Sequence, residues 1–238
     1  MTEYSLSSLI PHFLETPLFA IGLTLFSFVL GGYLFKKMGK PVWCPAMLLA
    51  ASFLALFLFG LSISYEEYYS GAKWLSVLIA PTTVALGVPL YQQSHHIRAA
   101  WRQILLTVPI SASLAVVYAV LIAFSLGSSE QVLASIAPKS VTAPIAIGLT
   151  EQLGGSVSLM MGGLLATGVF SVFFVDLLAS RLNVTDERLV GLVLGINGHA
   201  IGTIRAFEIS PVAGAFSSLG MGLTGIFTAI FLPFVWPY

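Results

Sequence analysis

The chain has 238 residues, of which 57% are hydrophobic and only 8% charged, and its net charge is zero. Soluble domains carry about 25% charged residues, so a soluble globular fold is excluded, and with no basic excess a nucleic-acid partner is not expected. Its one cysteine, Cys44, rules out an intramolecular disulfide and a cysteine metal cluster.

The N-terminus has neither a basic region nor a cleavage site ahead of a short apolar core, so the first apolar run reads as a retained helix. Charge-free runs cover 16–35, 41–65, 74–94, 103–129, 152–175 and 209–238. Each reaches the ~20 residues a helix needs to cross a bilayer. Two further segments, around 131–151 and 189–206, are interrupted by Lys139 and by His199 with Arg205. The expectation is an all-α integral membrane protein of about eight membrane segments, forming one polytopic domain over 1–238 within the lipid bilayer.

Basic residues orient it. Lys36, Lys37 and Lys40 follow the first run, and Arg98 and Arg102 follow the third beside His95 and His96, so both clusters fall on the cytoplasmic face. If 131–151 crosses fully, Arg181 and Arg188 emerge outside, against this rule. If it is re-entrant, they fall inside. His95 and His96 read as a headgroup-level belt rather than metal ligands, and Asp176 with Arg181 as an interfacial pair. No metal or cofactor is expected.

Three stretches, 79–89, 137–144 and 195–205, combine membrane-grade apolarity with residues a plain membrane helix avoids. Helix breaks are expected at Pro81, Pro89, Pro138 and Pro144, because proline lacks a donor and clashes with the preceding turn. Broken, charged backbone at membrane depth is tolerated where it lines a cavity or a substrate path. A match of Ile79–Val84 with Ile136–Val141 raises an internal repeat.

Between Pro138 and Pro144 stand Lys139, Ser140 and Thr142, a cation and two hydroxyls of the kind an anion site uses. The N-terminal end of the half-helix after Pro144 adds its dipole. The plainer alternative has Lys139 snorkelling to an interface. The second cluster holds Asn197, His199, Thr203 and Arg205 among Gly191, Gly195, Gly198 and Gly202. Those glycines by themselves suit close helix packing, as does the run from Gly214 to Ser218. Arg205 can instead pair with Glu208, at i+3. His199, with an ordinary pKa near ~6.5, suits proton coupling; a buried neutral ring bonded to a carbonyl is the alternative. No hydrolase or intramembrane-protease motif is present, so an enzyme is not expected.

Taken together, Pro89-Leu90-Tyr91 with Gln93, His96-Ile97-Arg98, the Pro138–Ala146 element, His199 with Gly202, Thr203, Arg205 and Glu208, and the Gly214–Ser218 run resemble the LrgB/CidB family of holin-like and antiholin-like membrane proteins. The similarity runs from about residue 20 to the end. The chain lacks the targeting extension and LrgA-like half of the related plastid glycolate/glycerate translocators. The resemblance implies a bacterial inner (plasma) membrane protein, with a small LrgA/CidA-like membrane partner and room for a homo-oligomer. Two functions are implied for the family: transport of small monocarboxylates of the pyruvate, glycolate or glycerate type, ion- or proton-coupled, and regulation of murein hydrolase export and cell lysis. The residues favour a small anionic substrate and transport, because a lytic lesion needs no lysine, histidine and arginine in broken segments.

Overall fold

The computed structural model describes residues 16–39, 41, 44–78, 81 and 84–236, and the described residues with regular structure are helical throughout. Contacts gather in two compact units, Met1–Ala85 and Leu86–Tyr238.

In the first unit, α1 (Pro17–Lys37) opens on a Thr16 cap and a first-turn proline. It packs antiparallel on α2 (Ala46–Gly60), with Gly31 set so close that a Cβ there would meet the Ala50 backbone nitrogen at 2.6 Å. Phe26 and Phe57 meet at 5.7 Å between ring centres. Helix α3 (Tyr65–Ala72) begins with a Ser64–Glu67 capping box, and its Tyr68 hydroxyl lies 2.7 Å from Thr24 Oγ1 on α1. Two expected crossings differ. The 41–65 run yields a helix of 15 residues, about 22 Å long at 1.5 Å per residue. The 74–94 run is not one α-helix over its described residues: Lys73–Leu78 form a 3₁₀ turn, and the short α4 (Gly87–Gln92) belongs to the second unit. Pro81 is exposed, and its flanking residues 79, 80, 82 and 83, with the repeat expected there, lie outside the described ones. Pro89 follows an interruption: residues 84 and 85 are helical and Leu86 is a turn. It sits in the first turn of α4, where its missing N–H has no intrahelical partner to lose.

The second unit continues with α5 (Ser94–Ala99), α6 (Trp101–Ser125), α7 (Glu130–Ile136), α8 (Ala143–Gln152), α9 (Val157–Arg181), α10 (Glu187–Ile209) and α11 (Pro211–Val235). Among the described residues, α1, α6, α9, α10 and α11 are long and apolar enough to cross a membrane. Helix α10 does not use its length that way. His199 leaves helical geometry at φ 40° and ψ −127°, and a Cβ on Gly202 would strike the Leu194 carbonyl oxygen. Ser210 Oγ donates to Glu187 Oε2 at 2.6 Å. A straight 23-residue helix would hold its ends about 34 Å apart. The segment is therefore a hairpin with arms 187–198 and 200–209 and His199 at the tip.

Residues 130–152 do the same. After α7 the chain turns through 137–142, where Pro138 is buried, and Pro144 opens α8 as a first-turn residue. Both ends of this hairpin return to one place: Glu130, Gln131, Gln152 and Gly154 line a single cleft of about 900 Å³ with Phe124 and Trp236. The Ser156 amide, just before α9, donates to Ser135 Oγ at 2.7 Å. Arms of 7 and 10 residues rise about 10 and 15 Å, enough for half a ~30 Å hydrocarbon core.

Because each hairpin returns to the side it left, α6, α9 and α11 alternate in direction. Ile104 and Val108 near the start of α6 cluster with Phe216 near the start of α11, and Val116 clusters with Leu232 farther along both. The first hairpin has its base beside the start of α9. The second has its base at the end of α9, where Val175 and Leu178 share a cleft with Leu189 and Val193. The hairpins thus enter from opposite faces. Two helix-plus-hairpin units follow one another, the helices offset by 56 positions (157 minus 101) and the hairpins by 57 (187 minus 130). This layout also answers the orientation question: Arg181 and Arg188 lie at the same end as Arg98 and Arg102, and the positive-inside rule makes that end cytoplasmic.

Glycines let the second hairpin lie against α11. A Cβ at Gly191 or Gly195 would collide with the backbone oxygen of Ala213 or Ser217. Gly195→Ala should therefore force the helices apart and lower the melting temperature of the purified protein, at about 1–3 kcal/mol for overpacking. Gly222 on α11 faces open space, so Gly222→Ala should be neutral or stabilising by up to ~1 kcal/mol. Equal melting of the two variants would contradict this crossing.

Candidate functional site

The two hairpin tips meet on the middle of α9. A Cβ on Gly163 would lie 3.8 Å from Lys139 Cβ, so the first tip passes over that glycine. One residue on, the Leu164 carbonyl faces His199 Nε2 at 3.0 Å. A carbonyl only accepts, so Nε2 carries a hydrogen. Gly168, one turn farther, leaves room for the imidazole: a Cβ there would meet His199 Cε1 at 2.8 Å. Ser171 Oγ then donates to the Asn197 carbonyl at 3.0 Å. Asn197 itself turns its amide back to the Val193 carbonyl.

Lys139 is half-buried. Its Nζ donates to Ser140 Oγ at 3.2 Å and lies 5.8 Å from the centre of the Tyr118 ring. It forms no ion pair among the described residues. Thr142 is the N-cap position of α8, yet its side chain makes no capping bond. The first amides of a ten-residue half-helix therefore end at the tip without a side-chain cap. The second tip repeats this arrangement, with the arm 200–209 starting directly after His199. With the hairpins offset by 57, Thr142 corresponds to His199 and Ser140 to Asn197.

Thr203 stands one turn beyond His199. Its Oγ1 donates to the His199 carbonyl at 2.8 Å and lies 3.0 Å from Ser217 Oγ and 3.7 Å from Met221 Sδ on α11. The backbone turn at His199 is thus held from both sides, by Leu164 on the ring and by Thr203 on the carbonyl. A non-glycine residue at positive φ is costly, on the order of 1–3 kcal/mol, and persists only where its surroundings fix it. Here they do.

Arg205 lies away from this cluster. Its Nε donates to Asp176 Oδ2 at 2.9 Å and its Nη1 to Glu208 Oε2 at 3.0 Å. The expected Glu208 partner is present, but Asp176 serves Arg205 rather than Arg181, which is exposed. The α9–second hairpin contact brings Asp176 and Arg205 together, a proximity no local spacing encodes. Two carboxylates engage the Arg205 guanidinium, whereas Lys139 has no carboxylate partner among the described residues. At the base of the second hairpin the Arg188 guanidinium bonds Asp186 and holds its carboxyl below the usual carboxylate range.

Sequence reasoning missed one hydroxyl. Thr224 on α11 is 1% exposed, and its Oγ1 has no hydrogen-bond partner. It sits between Met221, which Thr203 touches, and Gly225, where a Cβ would meet Ile145 Cδ1 of the first hairpin at 2.7 Å. A threonine in a plain apolar helix carries no sequence signal of its own.

The family model described as "LrgB-like family" matches residues 24–238. An uncharacterized protein of Haemophilus influenzae is 34% identical over 213 residues, covering 90% of this chain and 92% of its own length. Antiholin-like protein LrgB of Bacillus mycoides is 29% identical over 227 residues, with 94% and 97% covered, and its Bacillus cereus (strain B4264) counterpart has the same values. No solved structure matches this chain. With a match that runs from the first long helix through both hairpins to the last, this membrane protein belongs to the LrgB-like family.

Proposed function

We propose that this protein is an ion- or proton-coupled carrier of small monocarboxylates, of the pyruvate, glycolate or glycerate type, in the bacterial inner (plasma) membrane. The observation that carries the reading is the convergence of two oppositely inserted hairpin tips, with Lys139, Ser140 and His199, on the 163–168 stretch of α9. Plain helices satisfy their own backbone in lipid; broken ones at mid-depth are characteristic of substrate sites.

Charge selects the ligand. An ammonium at membrane depth costs roughly 2.5–3.5 kcal/mol on insertion scales. A ring at 5.8 Å returns about 0.5–1 kcal/mol, and one serine hydroxyl adds a charge-assisted bond. A bound monoanion would complete the compensation, and the uncapped start of α8 offers amide donors to it. Lys139, Ser140 and Thr142 would hold the carboxylate, with Asn197, His199 and Thr203 across from them. Arg205, already engaged by two carboxylates, serves to fix the second hairpin. Each hairpin separates the site from its own face, so alternate movement of the two gives access from one side at a time. His199 is the group that takes and releases a proton.

A second reading takes up the name printed for the Bacillus relatives, antiholin-like protein LrgB: with what the family resemblance implies added, the protein would regulate murein hydrolase export and cell lysis together with a small LrgA/CidA-like membrane subunit. Uptake of labelled pyruvate, glycolate and glycerate into proteoliposomes, with and without a proton gradient, separates the two. The carrier predicts saturable uptake of at least one of them. Non-saturable leakage of unrelated dyes, without selective uptake, would sink it.

Two variants sharpen the test. Lys139→Met removes an ammonium with no carboxylate partner, so melting temperature should hold or rise while uptake falls at least ~10-fold. Wild-type uptake by that variant would mean the lysine only snorkels. His199→Ala should lose acceleration by the proton gradient before it loses substrate binding; an unchanged response would remove His199 from coupling.

A further inference from the structure

Side-chain hydroxyls in the helices of this protein follow a pattern. Thr24, Ser52, Thr107, Ser135, Thr150, Thr203 and Ser218 each donate to the carbonyl four residues back, the usual way a hydroxyl is satisfied in an apolar helix. Thr224 does not. It is buried and without a partner, although the Gly220 carbonyl stands at the same i−4 position. The other such hydroxyl among the described residues, Ser27, lies on α1, one turn from the Gly31–Ala50 crossing. Thr224 instead occupies the strip of α11 between a residue bonded from the second hairpin and a residue packed by the first. Buried polar groups without partners are rare in native proteins, and a role in binding is one of the few explanations for them.

We infer that Thr224 is a substrate-binding residue, its hydroxyl donating to an oxygen of a small carboxylate held between the two hairpins. The inference rests on the carrier reading and deepens it. Lys139 and the start of α8 approach the ligand from the first hairpin; Thr224 approaches from α11, a continuous helix that lies against both hairpins. A hydroxyl held on that helix can keep its contact while either hairpin moves. Its donor is free for a ligand because the helix does not use it.

Thr224→Val replaces the hydroxyl with a methyl of the same shape, and Thr224→Ser keeps the hydroxyl. Melting temperature in the presence and absence of pyruvate, together with KM and maximal rate of pyruvate uptake, read out both variants. A structural hydroxyl would make Thr224→Val less stable. A ligand-binding one leaves the ligand-free melting temperature unchanged or higher, because a polar group without a partner has been removed. The expected result for Thr224→Val is that stability, loss of the pyruvate-induced shift and a KM raised roughly 10- to 100-fold, with Thr224→Ser restoring both. Wild-type KM in Thr224→Val, or a lowered melting temperature with an unchanged pyruvate shift, would overturn the inference and leave the carrier intact. A wild-type protein that neither shifts with nor takes up pyruvate, glycolate or glycerate would overturn the carrier reading and this inference with it.

Discussion

Backbone that leaves helical geometry inside a bilayer must find its partners in protein, because lipid offers none. The second unit is organised by that constraint. Two hairpins abandon the helix at mid-depth, and both tips are covered by the same helix, α9. Gly163 and Gly168 remove the side chains that would hold the tips away, and the Leu164 carbonyl between them takes the His199 ring. Thr203 and Ser217 close the other side. The polar contacts at the tips are few and short-range, and each depends on the tips being brought to this one place.

Connectivity follows from the same fact. A hairpin that does not cross reverses the direction of the next helix, so two successive helix-plus-hairpin units are inverted relative to each other. Inverted repeats with a site between broken helices are a recurring carrier architecture, and they give each hairpin its own membrane face. Sequence traces of the duplication survive at few positions: Glu130 with Glu187, Ala143 with Ala200, Ile147 with Ile204, Glu151 with Glu208. The first and last of these pairs sit near the hairpin bases, where a carboxylate can face water.

Much of this was legible from residues alone. The charge-free runs locate α1, α6, α9 and α11, and the Pro138–Pro144 and Gly195–Arg205 stretches mark both tips. The arginines posed the topological question that the first hairpin answers. Three things were not legible. For the 189–206 segment the residues suggest a broken helix but leave open whether it crosses or re-enters, because no proline marks its reversal; the turn rests on His199 at positive φ, a conformation the chain sequence does not announce. The repeat of whole elements, at offsets of 56 and 57 residues, leaves little identity to read, and the six-residue match of 79–84 with 136–141 falls partly outside the described residues. The place of Thr224 between the hairpins and the Asp176–Arg205 pair are tertiary facts: each depends on segments far apart in the chain, and periodicity carries no record of them.

The claim on which the rest depends is that both hairpins return to the face they left, and that those faces are opposite. Single cysteines in a Cys44→Ser background at Gln131 and Gln152, and at Arg188 and Ile209, can be labelled in intact cells with a membrane-impermeant maleimide, before and after permeabilisation. The account predicts that Gln131 and Gln152 label from outside alike, and that Arg188 and Ile209 label only once the cytoplasmic face is opened. Labelling of the two members of either pair from opposite faces would contradict it.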